Sequence, residues 1–242
     1  MPLSRDPIRH YSSLTRYLAG DRVAIEPGVP CENCFLCREG RYNLCEDVKF
    51  SGVYPYHGTI QRYKVHPSKW LYKIPDSVSF AEAALLEPLS VVLHGVQTAR
   101  ITLGHGVLVA GAGPIGLIAL AAARASGAHP IVITDLEPKR LAFAKEFVPS
   151  CITYEVDRNL DGEANAKEIR KLFGADTDEY RAPTTVLECT GVESSVGIAA
   201  FAVRRGGVVV VIGVGKSVMN NLPFMHLSLA EVGLVIDAGG CH

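Results

Sequence analysis

The stretch VLVAGAGPIGLIALAAARASG, Val107 to Gly127, constrains this chain more than any other. Four apolar residues read as a buried strand and run directly into Gly111-Ala112-Gly113-Pro114-Ile115-Gly116, after which an alanine- and leucine-rich helix begins. A G-x-G-x-x-G turn between a strand and a helix is the fingerprint of a dinucleotide-binding βαβ unit. Gly111 permits the tight turn, Gly113 lets backbone approach a pyrophosphate, and Gly116 lets the helix lie close to the strand. The first turn of the helix then offers free N–H groups and a positive dipole end to phosphate. Pro114 fits there because its missing N–H has no helical acceptor to satisfy, and Ile115 completes the turn. The strand HPIVIT follows and ends at Asp135, 19 residues beyond Gly116. A ribose-binding carboxylate belongs at that spacing, and an acid there favours NAD over NADP by repelling a 2′-phosphate. The rival reading is a ligand-free glycine turn with Asp135 as a helix cap; the register of strand, turn, helix, strand and acid argues against it.

Beyond Asp135 the βα alternation continues. PKRLAFAKEF is a helix carrying Arg140, placed to lie against an adenosine ribose, and CITYEV is a strand. EANAKEIRKLFG is an amphipathic helix closed by Gly174. TTVLECTG is a buried strand, ESSVGIAAFAVRRGG a helix, and VVVVIGVGK the most apolar strand of all. Strands apolar on both faces and alternating with helices predict a doubly wound parallel sheet, an α/β fold of Rossmann type. Ligands sit beyond the carboxyl ends of such strands, so Thr190, Gly191, Gly213 and Val214 join the cofactor candidates, against the plainer reading of ordinary loop geometry.

Upstream, DRVAIEP reads as a strand ended by Pro27-Gly28. It leads into CENCFLCREGRYNLC, where Cys31, Cys34, Cys37 and Cys45 are separated by two, two and seven residues. Four thiolates so spaced can wrap one tetrahedral Zn2+ in a closed, structural site. Such an ion contributes folding free energy on the order of 10 kcal/mol to a lobe with little apolar core. The rivals are disulfides, and an iron–sulfur cluster, which prefers a shorter last gap followed by proline where this chain has Glu46. Seven cysteines with four clustered suit a metal site in a reducing, cytoplasmic compartment better than a secreted disulfide framework.

From Gly58 to Pro75 polar and apolar residues alternate, which predicts short antiparallel strands of a small β domain. Ser79 to Ala99 has helical spacing, with Ser79 and Glu82 as a capping box. Pro88 is expected to break or restart this helix and leave Glu87 on an irregular turn amid apolar residues. A carboxylate there is costly unless it meets a metal, a water or a cation, or simply reaches solvent; spacing does not choose between these. Lys+Arg 24 against Asp+Glu 25 gives a net charge of -1, which argues against an electrostatic grip on nucleic acid or anionic membrane. The first twenty residues contain four arginines or aspartates and no apolar segment, so no secretory signal is expected.

DRVAIEPGVPCENCFLCREGRYNLC, then ALLEPLSVVLH, then VLVAGAGPIG with TDLEPKR resembles the zinc-containing medium-chain dehydrogenases, most closely the polyol branch of sorbitol, xylitol and L-arabinitol dehydrogenases of fungal type. The resemblance runs from about Asp21 to about Glu231, with ECTG and LPFMHLS as late matches. It implies NAD-linked oxidation of a polyol to a ketose, with a catalytic Zn2+ as Lewis acid. It also implies that residues 21–100 form part of a GroES-like domain with the zinc lobe and residues 101–242 the NAD-binding domain, with 1–20 unmatched. By resemblance, Glu87 lies at the catalytic zinc as ligand or hydrogen-bonded to its water, the four cysteines hold structural zinc, and Asp135 and Arg140 contact the ribose. A homo-oligomer, dimer or tetramer, is implied in the same way.

The departures are specific. Family members carry a Cys-Gly-Ser-Asp and a Gly-His-Glu segment upstream of the cysteine lobe, where this chain has no cysteine and a single histidine, His10, in Arg9-His10-Tyr11. An Arg-Tyr substrate contact that family members bring after the nucleotide domain is also missing, and Cys241 and His242 are not expected to be ligands. The expectation is a dehydrogenase lacking both flanks of its catalytic domain, with an intact nucleotide domain, a structural zinc lobe and a catalytic zinc site short of most ligands. The alternative from another class is a catalytically inactive NAD-binding protein or regulatory subunit.

Overall fold

The computed structural model describes residues 17–236, which divide into two compact units between Glu87 and Pro88. His10, Cys241 and His242 lie outside the described residues.

The first unit is built from short pieces. Strand β1 (Val23–Ile25) is the expected one. Strand β2 (Gly28–Val29) precedes the single helical turn α1 (Phe35–Arg38), and β3 (Lys49–Phe50) returns to pair with β2 antiparallel. Strand β4 (Leu71–Lys73) pairs antiparallel with β1, setting Val23 opposite Lys73 and Ile25 opposite Leu71. The alternation from Gly58 to Pro75 is therefore only partly realised: residues 58–67 form no strand, and Ile60, Tyr63 and Val65 are largely exposed. Period-two patterning needs a neighbouring strand edge and a face to bury, and among the described residues that segment meets neither.

Helix α2 (Phe80–Ala83) starts on the expected capping box. The Ser79 hydroxyl accepts from the Glu82 N–H at 3.1 Å and the Glu82 carboxylate accepts from the Ser79 N–H at 2.7 Å. The break before helix α3 (Leu86–Thr98) falls at Ala84 and Leu85, not at Pro88. Pro88 sits inside the first turn of α3, where N–H groups have no helical acceptor and proline is tolerated. Glu87 is thus helical and exposed, which corrects the irregular turn expected from the proline.

The second unit is the doubly wound sheet. Strand β5 (Val107–Ala110) is followed by helix α4 (Pro114–Ala125), β6 (Ile131–Asp135), α5 (Pro138–Phe147), β7 (Ile152–Glu155) and α6 (Gly162–Leu172). Then come β8 (Thr185–Glu188), α7 (Glu193–Ala202), β9 (Val208–Val211), the short α8 (Phe224–Leu229) and β10 (Gly233–Ile236). Helix α7 ends at Ala202, so Arg204 and Arg205 lie beyond it. The strand order is β10-β9-β8-β5-β6-β7, all pairs parallel. The chain grows outward from β5 through β7, then returns to pair β8 on the other side of β5. A crevice opens where the winding reverses, beyond the carboxyl ends of β5 and β8.

Alternate residues of the strands feed two cores. Val107, Val109, Ile131, Ile133, Leu187 and Val210 pack with Val92 and Val96 of α3 and Ala119, Leu120 and Ala123 of α4. Leu108, Val132, Val186, Val209 and Val211 pack with Ile169 of α6 and Val196 and Ala199 of α7. Fully burying a side chain such as Leu108 or Ile133 contributes about 1.5–3 kcal/mol each. Among the described residues no helix is long and apolar enough to cross a membrane.

Candidate functional site

The four cysteines of the first unit converge. All four sulfurs lie within 4.8 Å of one another, with Cys34 Sγ 3.4 Å and Cys31 Sγ 3.9 Å from Cys37 Sγ. Sulfurs around a tetrahedral zinc stand roughly 3.8 Å apart, from Zn–S distances of ~2.3 Å. The geometry therefore fits one ion held by four thiolates. Backbone N–H groups already point at sulfur, Cys34 N at 3.3 Å and Asn33 N at 3.5 Å from Cys31 Sγ and Cys31 N at 3.4 Å from Cys45 Sγ. The Asn33 N–H, and after it that of Cys34, pull the Cys31 thiol down to about 7. Burial, and then the hydrogen bond with Cys34, push Cys37 up to about 12. Thiolates this close repel one another, and a divalent cation between them removes that repulsion. The described cysteines are all unbridged.

The crevice of the second unit is formed by three turns, after β5, β8 and β9. Gly111 has a φ of +100°, and a Cβ added to it would stand 2.7 Å from Thr190 Cγ2. A Cβ on Gly116 would come within 1.7 Å of the Gly111 carbonyl oxygen, so α4 packs on the turn as only glycine allows. Gly113 is different: a Cβ there would meet nothing within 4 Å. The two glycines that need close protein contact and the one that faces open space match the division of labour read from the fingerprint. Pro114 is the first residue of α4, and the open space at Gly113 lies at that helix N-terminus.

Asp135 ends β6 beside this turn, its side chain 8% exposed. One carboxylate oxygen accepts from the Ala112 N–H at 2.8 Å and the other from the Glu137 N–H at 2.9 Å. The acid expected to meet a ribose thus also ties the glycine turn to the next strand. Arg140, 60% exposed, lies 3.7 Å from the same carboxylate. The turns after β8 and β9 interlock: Cβ atoms on Gly213 or Gly215 would come within 2.1 Å and 1.8 Å of Gly191 backbone atoms. Thr190 therefore touches Gly111, Gly191 is bracketed by Gly213 and Gly215, and Val214 projects outward, 96% exposed.

Sequence reasoning passed over Glu188. It is fully buried at the end of β8, in a strand otherwise made of Thr185, Val186 and Leu187. Its carboxylate accepts from the Thr190 N–H at 3.0 Å, the Gly191 N–H at 2.9 Å, the Ser195 hydroxyl at 2.8 Å and the Thr190 hydroxyl. The signal was available, since an acid inside an apolar strand demands partners. Burial pushes the adjacent Cys189 thiol well above its ordinary range, and the Glu188 charge adds to this. Glu87 is exposed in the first turn of α3. Among the described residues the four cysteines are the group of three or more His, Cys, Asp or Glu side chains close enough to hold an ion.

Two family models match: zinc-binding dehydrogenase over residues 114–238, and alcohol dehydrogenase GroES-like domain over residues 8–76. The first alone spans just over half of the 242 residues. The chain belongs to the zinc-binding dehydrogenases. Within them it is 52% identical over 235 residues to an L-arabinitol 4-dehydrogenase of Aspergillus oryzae, covering 96% of this chain and 61% of that protein. It is 41% identical over 228 residues to a sorbitol dehydrogenase of Macaca fascicularis, covering 94% and 61%. Among solved structures, an Escherichia coli oxidoreductase/dehydrogenase of unknown specificity superposes with a TM-score of 0.80 at 32% identity, covering 93% of this chain and 62% of that one. This zinc-binding dehydrogenase chain spans about three fifths of the length of the relatives it matches.

Proposed function

We propose that the chain binds NAD in the crevice beyond β5 and β8 and serves the oxidation of a polyol to a ketose. The observation that carries this is the glycine turn: Gly111 and Gly116 locked against protein, Gly113 open, and Asp135 hydrogen-bonded across to Ala112. The first turn of α4 presents N–H groups without helical acceptors, which suits a pyrophosphate. Asp135 has lone pairs left for ribose hydroxyls and a charge that repels a 2′-phosphate, so NAD is favoured over NADP. Arg140 lies close enough to Asp135 to flank the same ribose, and Thr190, Gly213 and Val214 edge the site. When bound, the nicotinamide supplies the hydride acceptor, and a zinc ion in the cysteine lobe holds that lobe together. The polyol class comes from the names of the L-arabinitol and sorbitol dehydrogenases to which the chain is similar. Location in the reducing cytoplasm is proposed on the unbridged cysteines. Association into a dimer or tetramer is proposed on β10, whose outer edge has no paired strand among the described residues.

By resemblance, Glu87 is the residue that would meet a catalytic zinc or its water. The carboxylate is exposed and belongs to no ligand set among the described residues, so no step is derived through it. That observation favours a second reading, an NAD-binding protein without turnover of its own. Titration with NADH followed by fluorescence, together with NADH formation from L-arabinitol, sorbitol and xylitol, separates the two. Binding with turnover supports the enzyme, binding without turnover the second reading, and no binding refutes both.

A further inference from the structure

Glu188 is a carboxylate with no exposed surface, and no salt bridge reaches it among the described residues. Burying a charge in this way is costly unless hydrogen bonds replace its hydration. Here they do. Two backbone N–H groups and two hydroxyls all arrive as donors, and the N-terminus of α7, to which Ser195 belongs, adds its positive dipole end. The Thr190 hydroxyl is held at both ends, donating to Glu188 and accepting from the Val192 N–H at 3.0 Å. The Glu188 main-chain carbonyl meanwhile accepts from Ile212 N at 2.7 Å and Gly213 N at 2.9 Å. One residue thus pins the turn after β8 through its side chain and the exit of β9 through its backbone.

These are the two turns that close the crevice opposite the glycine fingerprint. Thr190, which Glu188 orients, lies against Gly111, and Gly191, which Glu188 also holds, lies against Gly213 and Gly215. An apolar or amide side chain at position 188 would free Thr190 to rotate into the space beside the fingerprint, while β8 itself would keep its strand pairings to β5 and β9. We propose that Glu188 is a positioning residue for the cofactor: it acts through Thr190 and Gly191 to set the shape of the crevice without touching the cofactor. The proposal rests on the NAD reading above.

Glu188→Gln keeps the size of the side chain but turns one acceptor into a donor that faces other donors. Ser195→Ala removes one of the four hydrogen bonds and is the gentler change. The test measures the NADH dissociation constant of the full chain by fluorescence, well below the unfolding midpoint, alongside the midpoint itself. The expected result is a dissociation constant raised about tenfold or more in Glu188→Gln and a few-fold in Ser195→Ala. A residue that only stabilised the fold would lower the midpoint and leave NADH affinity unchanged, and that pattern in either variant overturns the proposal. If Glu188→Gln does not fold, Ser195→Ala decides. A parent chain that binds no NADH sinks the NAD reading and this proposal together, whereas a parent that binds and variants that bind equally well sink this proposal alone.

Discussion

Two substitutions in one turn should separate packing from binding. Gly116→Ala places a methyl group 1.7 Å from the Gly111 carbonyl oxygen and 2.8 Å from its carbon. Ordinary contact needs roughly 3.5 Å, so α4 must move by more than 1.5 Å or so, or the turn must open. The obstacle is backbone and cannot swing aside. Helix α4 buries Gly116, Ala119, Leu120, Ala122 and Ala123, so moving it loosens one whole face of the sheet. Overpacking of this kind costs about 1–3 kcal/mol, and in a chain of this length each kcal/mol lowers the midpoint by roughly 2–4 °C. A fall of about 2–12 °C is expected. Gly113→Ala adds the same methyl where nothing lies within 4 Å, at an N-cap whose φ of −76° and ψ of −176° alanine adopts freely. Losing glycine at an N-cap costs at most about 1 kcal/mol, so the midpoint should stay within about 4 °C of the parent. The methyl nevertheless stands where a pyrophosphate would approach the helix N-terminus, and NADH affinity should fall tenfold or more, roughly 1.4 kcal/mol. Thermal unfolding followed by circular dichroism gives the midpoints and fluorescence titration the affinities. Parent-like NADH binding by Gly113→Ala, or a parent-like midpoint for Gly116→Ala, would refute the assignment of the two glycines.

The cysteine lobe should carry one zinc per chain by elemental analysis, and Cys45→Ser, which removes its buried ligand, should reduce that to a trace; retention of a full equivalent would contradict the four-thiolate site. Asp135→Asn keeps one acceptor where two N–H groups are held, so NADH binding should weaken while the preference for NADH over NADPH shrinks; an unchanged preference would remove Asp135 from the ribose contact. Ser79→Ala should cost about 1 kcal/mol through loss of the α2 cap, read from denaturant unfolding. The same cap makes a pH prediction. The Ser79 N–H, and then its hydroxyl, hold the Glu82 carboxyl below its ordinary value, so its contribution is present above pH ~4.3 and lost as pH falls through the lowered value. The stability gap between the parent and Glu82→Gln should accordingly be constant near neutrality and close in acid; a gap that widens in acid would count against the assignment.

Much of this molecule is legible along the chain because the physics involved is local. The Gly111 turn, the Pro114 start of α4, the Ser79–Glu82 box and the two-two-seven spacing of the cysteines each depend on residues within one or two turns of one another. Backbone dihedral preference and the reach of a side chain decide such features before the chain has folded. The run of four valines at Val208–Val211 likewise announces a strand covered on both faces.

Tertiary structure alone decided the rest. Residues 58–67 carry a strand's alternation and form none, because a strand is made by its neighbours and not by its own pattern. Pro88 reads as a helix breaker and sits inside a first turn, because the helix starts two residues earlier than the proline suggests. Glu87 ended on an exposed helical turn and Glu188 in the buried floor of the crevice. Glu188 ends an otherwise apolar strand, whereas Glu87 opens a helix. β8 carries Glu188 under turns whose partners, Gly111 and Gly213, follow neighbouring strands far away in the chain. The donors to Glu188 come from Thr190, Gly191 and Ser195, close by in the chain, but the burial that makes them necessary is settled only when β5 and β9 flank β8.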